Sequence, residues 1–219
     1  MTPQRHLSFF MIIILMISLG VWQIQRGLEK TSHAQRITQS RLHPKLIGTM
    51  PPHPLKNSRI LIKGHFLNST ELIQQPHAGK TITQVLSPFK TEQGDYFWVL
   101  RGQTQSNAPS PSLEPITIQT DIMLPKITQN GLTEAIAPHH WNGIGFDLQV
   151  INATYQEPLN ASVLLMMISE TNEGLMSNKP EALPTPWRHY AYTIQFFIVA
   201  IIISIRYYLS HAASKRQSR

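Results

Sequence analysis

Chemistry in this chain would have to come from its histidines, since it holds ten of them and no cysteine. The lack of thiols excludes disulfides, thiolate metal sites and covalent c-type haem attachment together. His189, Tyr192 and Phe196 stand at i, i+3 and i+7 and share a helix face with Thr193. An imidazole so placed could bind haem iron axially, with the aromatic side chains against the macrocycle and a nearby arginine on a propionate. The same spacing also suits an interfacial aromatic belt carrying an amphipathic histidine.

A second polar set, Trp22, Gln23, Arg26 and Lys30, closes the first apolar run. At ~100° per residue the four fall within one helix stripe. As anchors, the tryptophan would lie at headgroup depth and the cations would snorkel toward water. As a site, the stripe would dock the second apolar run, a folded domain or an anionic ligand. The adjacent His139 and His140 beside Trp141 invite a metal reading, but neighbouring residues of a strand face opposite ways, so two ligands for one ion would need a loop there. No nucleophile elbow, P-loop, dinucleotide fingerprint or zinc-protease motif occurs, and the acids are scattered without pairing, so the sequence shows no enzyme active site.

These residues need elements to hold them. Two apolar runs, residues 7–24 and 190–209, are each about long enough to cross a hydrocarbon core of roughly 30 Å. Between them, residues 31–187 carry eleven Lys/Arg and eleven Asp/Glu, so the formal charge of +7 sits in the flanks. A neutral middle argues against nucleic-acid binding, which needs a basic stripe on the folded domain. Arg206, Lys215, Arg216 and Arg219 are opposed by no acid, which places both termini in the cytoplasm by the positive-inside rule. A cleaved signal peptide is the alternative for the first run; the sequence after Gly20 lacks the polar stretch expected after a cut.

The expected organisation is a cytoplasmic N-terminus (1–6), a first span (7–24), a periplasmic β-rich domain (25–189), a second span (190–209) and a basic cytoplasmic tail (210–219), in a bacterial inner membrane. The fold class is α+β, two transmembrane helices flanking a mainly antiparallel β domain. Alternating or clustered apolar residues predict strands at Arg59–Asn68, Glu71–Gln75, Thr81–Phe89, Tyr96–Gln103, Ile116–Leu124 and Ser162–Ser169. A turn is expected at Gln93-Gly94-Asp95, and Asp147 is expected to cap a short helix ended by Pro158. A linker around Met50–Pro54 leads in, and Asn172–Pro186 loops back to the second run.

Several segments in order resemble the surfeit locus protein family, assembly factors of cytochrome c oxidase. Trp22-Gln23-x-x-Arg26-x-x-x-Lys30 after the first run resembles that family's N-terminal signature. Gly64-His65-Phe66 resembles its G-x-F strand, and Val99-Leu100-Arg101-Gly102 its V-N-R-G-W strand end. Trp141 and Asp147 resemble a stretched N-x-W-x-x-x-D segment, and His189-x-x-Tyr192 with Phe196-Phe197 resembles its H-x-x-Y-A-x-x-W-F start of the second span. Leu100, Gln103, Thr193 and Phe196 depart from the pattern. The resemblance implies a non-enzymatic inner-membrane factor that helps deliver haem a to subunit I of an aa3-type oxidase. His189 would be the haem contact, joined by Tyr192, Phe196, Arg26 and Trp22, and the partners would be subunit I, the haem a synthesis machinery and the lipid bilayer. A membrane chaperone or scaffold that binds no haem is the alternative.

Overall fold

The computed structural model describes residues 3–77, 80–105, 109–124, 134–143, 147–168 and 175–217. In chain order the elements are α1 (Pro3–Leu42), β1 (Lys45–Leu46), β2 (Arg59–Phe66), β3 (Glu71–His77), β4 (Lys80–Thr91), β5 (Tyr96–Thr104), β6 (Ile116–Met123), β7 (Glu134–Ala137), β8 (His140–Asn142), α2 (Leu148–Asn152), β9 (Asn160–Met167) and α3 (Trp187–Gln217). The chain divides into two compact units, Met1–Gln35 with Leu183–Arg219, and Arg36–Ala182. Every strand expected from the alternation of apolar residues is present with ends shifted by no more than two residues, Ser169 lying outside the described residues.

The β unit is more closed than a simple antiparallel core. Pairings run β2–β6, β6–β9, β9–β5, β5–β4 and β4–β2, so five strands return on themselves as a barrel. Antiparallel pairs dominate, but β9 runs parallel to β5, β8 parallel to β3, and β1 parallel to β2. Beyond β4 the sheet continues through β3, β8 and β7. Such closure leaves few unpaired strand edges.

Two cores lie on the two faces of this wall. All five barrel strands contribute to the interior, with Ile62, Phe89, Val99, Ile118 and Leu165 among its fully enclosed members. On the outer face Trp98, Leu100, Leu164 and Met166 pack with Ile73 of β3, Trp141 of β8 and Leu148 and Ile151 of α2. Successive side chains of a strand point to opposite faces, so Val163-Leu164-Leu165-Met166-Met167 reads as an unbroken apolar run because both of its faces are covered. The tight turn after β4 also forms: Gly94 N–H donates to Thr91 O at 3.0 Å, Asp95 N–H donates to Thr91 Oγ1 at 3.0 Å, and Gly94 has φ +91°.

Asp147 caps α2, its Oδ1 accepting from Gln149 N at 3.2 Å and Val150 N at 3.3 Å, a contact type worth about 1 kcal/mol. The helix ends at Asn152 rather than near Pro158. The reason is tertiary: Asn152 Oδ1 accepts from Trp98 Nε1 at 2.6 Å and its Nδ2 donates to Leu159 O at 2.7 Å, which turns the chain back into β9.

α1 does not stop with its apolar run; it continues for 40 residues in all, about 60 Å of helix. Its last turns belong to the β unit, where Ile37 is fully buried and Ser40 Oγ accepts from Arg59 N–H at 3.1 Å. Arg41 donates to Glu181 O at 2.9 Å and lies 3.6 Å from Asp121.

Candidate functional site

In the helical unit, α1 and α3 meet along one seam. The less exposed positions of α1 recur three and four residues apart from His6 onward, and those of α3 do likewise from Tyr190 to Tyr207, the period of a left-handed helix pair. Two small residues seven apart on α1 receive two aromatic residues seven apart on α3. A Cβ built on Gly20 would lie 3.0 Å from the Phe197 ring, and one on Gly27 would lie 2.7 Å from the Tyr190 ring. Tyr190 also shares a hydrogen bond of 3.2 Å with Thr31, itself bonded to Gly27 O. Toward the other end, Phe9 stacks on Tyr207 at 3.8 Å and His6 bonds the Tyr207 hydroxyl. The sequence reading named Phe197 only within the Phe196-Phe197 pair and Gly20 only at a candidate signal-peptide cut, and it named neither Gly27 nor Tyr190 as a packing position, although the matched seven-residue spacings were readable there.

His189 sits in the first turn of α3 within this seam. Its backbone N–H donates to Pro186 O at 3.0 Å, its carbonyl accepts from Thr193 Oγ1 at 3.0 Å, and its Nδ1 lies 2.8 Å from Gln23 Oε1. Thr193 is buried, with Oγ1 also 3.5 Å from Gly20 O, so this departure from the family pattern fits the seam. Tyr192 is 51% exposed and Phe196 partly exposed.

The four-residue stripe of α1 does not act as one surface. Gln23 turns into the seam and Lys30 is partly buried, whereas Trp22 is 54% exposed. Arg26 pairs with Glu29 at 2.7 Å, and the two line a shallow concavity with Trp22 and Gln25. The structure therefore brings Gln23 to His189 and keeps Trp22 with Arg26 in a separate cluster. Residues 22, 25, 26 and 29 form that cluster because they follow i, i+3, i+4 and i+7, a face turned from the seam.

The family-motif positions Gly64, Phe66, Arg101, Gly102 and Trp141 of the β unit lie in closely packed surroundings. A Cβ on Gly64 would fall 2.0 Å from Lys90 O, where β2 crosses β4, and one on Gly102 would fall 2.6 Å from Met176 O. Phe66 is buried in the barrel, and the Arg101 guanidinium lies 5.5 Å from its ring centre. Arg101 also donates to Ser87 Oγ at 3.3 Å and Pro109 O at 3.1 Å. Trp141 belongs to the outer core.

A second polar centre escaped the sequence reading. Glu71 is completely buried, and its carboxylate accepts from Tyr155 OH, His139 Nδ1–H (2.7 Å) and Trp141 Nε1–H. With its only proton committed to Glu71, Tyr155 accepts from Ser69 Oγ. Burial first, then the hydrogen bond to Glu71, push the Tyr155 phenol well above its ordinary value, while the Ser69 bond pulls the other way. A concavity of about 410 Å³ opens here, floored by Glu71 and Trp141. His139 occupies the β7–β8 turn at φ +60°, and His140 Nδ1 is bonded to Pro138 O at 2.9 Å. Among the described residues no three His, Asp or Glu side chains converge as metal ligands.

The fold and site thus define a class: a closed β domain bracketed by two long apolar helices, each with the length and composition to cross a membrane. Residues 10–201 match the model of the SURF1 family, and the chain belongs to that family, the surfeit locus assembly factors of cytochrome c oxidase. No curated protein matches the chain.

Proposed function

We propose that this protein is an inner-membrane factor for assembly of an aa3-type haem–copper oxidase, which presents haem a, as cargo, to subunit I. The observation that carries the reading is His189: an imidazole at the start of an apolar helix, with one ring nitrogen engaged by Gln23 and Tyr192 and Phe196 partly exposed on its face. This donor set fits a haem, an imidazole for the iron and aromatic side chains for the macrocycle. When bound, the group would supply a metal centre able to take a nitrogen ligand; His189 would be that ligand, Tyr192 and Phe196 the apolar surroundings, and Arg26 and Trp22 the anchors. Arg26 and Trp22, on their own face of α1, are the contacts for a propionate or for a partner chain. Family membership supports the oxidase as target. On this reading α1 and α3 cross the membrane, both termini lie in the cytoplasm and the β unit stands in the periplasm, as the unopposed basic tail argues.

The test is the haem content of the full chain purified after co-expression with haem a synthesis enzymes. Wild-type protein is expected to show a Soret band and a haem a pyridine haemochrome spectrum. His189→Ala should insert normally, lack that band and lower oxidase activity in cells. Haem-free wild-type protein, or equal haem in His189→Ala, would put the non-haem chaperone in its place. Alkaline phosphatase fused at Leu113 should be active, and fused after Arg219 inactive; the reverse would overturn the orientation.

A further inference from the structure

We propose that Gln23 is the positioning residue of His189, fixing the ring tautomer so that Nε2 carries the free lone pair. The inference rests on His189 serving as the ligand, and it assigns to the glutamine of α1 a task that membrane anchoring does not require. Gln23 Oε1 lies 2.8 Å from His189 Nδ1. With its oxygen turned to the ring, the Gln23 amide can only accept there, and in that orientation Nδ1 carries the proton; a neutral imidazole has one N–H, which leaves Nε2 unprotonated. A ligand nitrogen has to be in that state, and the group bonded to the opposite nitrogen is what selects it.

The surroundings keep the pair in register. Gly20 and Gly27 flank Gln23 by three and four residues, and the rings of Phe197 and Tyr190 seat on them. His189 itself is held at backbone N–H by Pro186 O and at its carbonyl by Thr193 Oγ1. Ring rotation about the side chain is the freedom left, and the Gln23 bond removes it. A neutral amide polarises the imidazole less than a carboxylate would, which suits a ligand that must release its cargo.

A bond that merely ties two helices together would not care which nitrogen is protonated, so the tautomer is the discriminating readout. Full-length protein with ¹⁵N-labelled histidine, in nanodiscs at a pH where His189 is neutral, gives ring-nitrogen spectra in which His189 is identified by its loss in His189→Ala. Wild type should show Nδ1–H. Gln23→Leu should shift to the Nε2–H form that imidazole favours in water, and Gln23→Glu should retain Nδ1–H. In haem-loaded protein Gln23→Leu should lower haem affinity by about tenfold or more, and Gln23→Glu should lower the midpoint potential. An unchanged tautomer in Gln23→Leu overturns the positioning role. A switched tautomer with wild-type haem affinity overturns its link to ligation. Wild-type protein without haem overturns the haem reading, and the tautomer result then still decides what Gln23 does to His189.

Discussion

The two compact units handle buried polarity in opposite ways. In the β unit the two buried carboxylates among the described residues are each met by several donors: Asp121 takes Arg59 Nε at 2.8 Å and Nη2 at 3.3 Å with Arg41 close by, and Glu71 takes three. In the helical unit the seam is built from glycines, rings and single hydrogen bonds such as Gln23–His189. A multiply satisfied buried charge is expensive to disturb, because what remains is an unpaired ion in a low dielectric. A single neutral bond is cheap to lose and orients one ring. Loss of a partner should therefore cost stability in the β unit, whereas in the seam it should cost the orientation of a side chain.

The sharpest way to break this contrast is at Asp121. Asp121→Leu strands the Arg59 and Arg41 guanidiniums and should cost about 3–5 kcal/mol, read as a lowered denaturation midpoint in near-ultraviolet circular dichroism of the full chain in detergent. Adding Arg59→Leu should recover part of the loss; full additivity would mean the pair is not coupled.

Tyr155 gives a smaller, pH-resolved effect. Its folded-state acidity is weakened, so the folded chain holds the phenol proton more tightly than the unfolded chain. The resulting stability is fully present below the ordinary phenol value, ~10, and is lost as pH rises from there toward the folded-state value. Tyr155→Phe should cost about 1 kcal/mol at pH 7 through the lost hydrogen bond and should flatten the alkaline fall of the denaturation midpoint. An unaltered alkaline slope would remove Tyr155 as its source.

Least expensive to stability is Arg26→Lys. The Arg26–Glu29 pair is half exposed on both sides, a class worth roughly 0–1 kcal/mol, so the denaturation midpoint should stay put. Oxidase activity in cells should nonetheless fall at unchanged protein abundance, because an ammonium cannot replace a planar two-pronged donor toward a propionate or carboxylate. Unchanged activity would make Arg26 an anchor and nothing more.

How much of this was readable follows the same division. Period-two alternation marked β2 and β6, whose buried apolar residues meet the barrel interior from one face, while β4 and β5 were marked by clustered apolar residues because both of their faces meet a core. Barrel closure was not readable: it depends on the β2–β4 pairing, made by a twelve-residue β4 that shifts register at Val85/Leu86, and no local residue pattern announces which strands meet. β1, β7 and β8 are two to four residues long, too short for any period to show. Glu71 looked like one scattered acid, since its donors lie 68, 70 and 84 residues away. His189 and Gln23 were each picked out, but on separate stripes; their pairing came with the Gly20/Gly27 and Tyr190/Phe197 spacing, a heptad signal that begins inside an apolar run and ends in the polar stretch after it.

The order of strands in the barrel has a consequence for synthesis. β9 is inserted between β6 and β5, both of which precede it in the chain. Sixty-three residues separate the end of β5 at Thr104 from the end of β9 at Met167, several seconds of translation at ~5–20 residues per second. Throughout that interval one flank of β5, and from Met123 onward one flank of β6, lacks the shared neighbour. Trp187 follows only twenty residues after Met167, so the closing stave of the barrel and the second apolar helix leave the ribosome almost as one event.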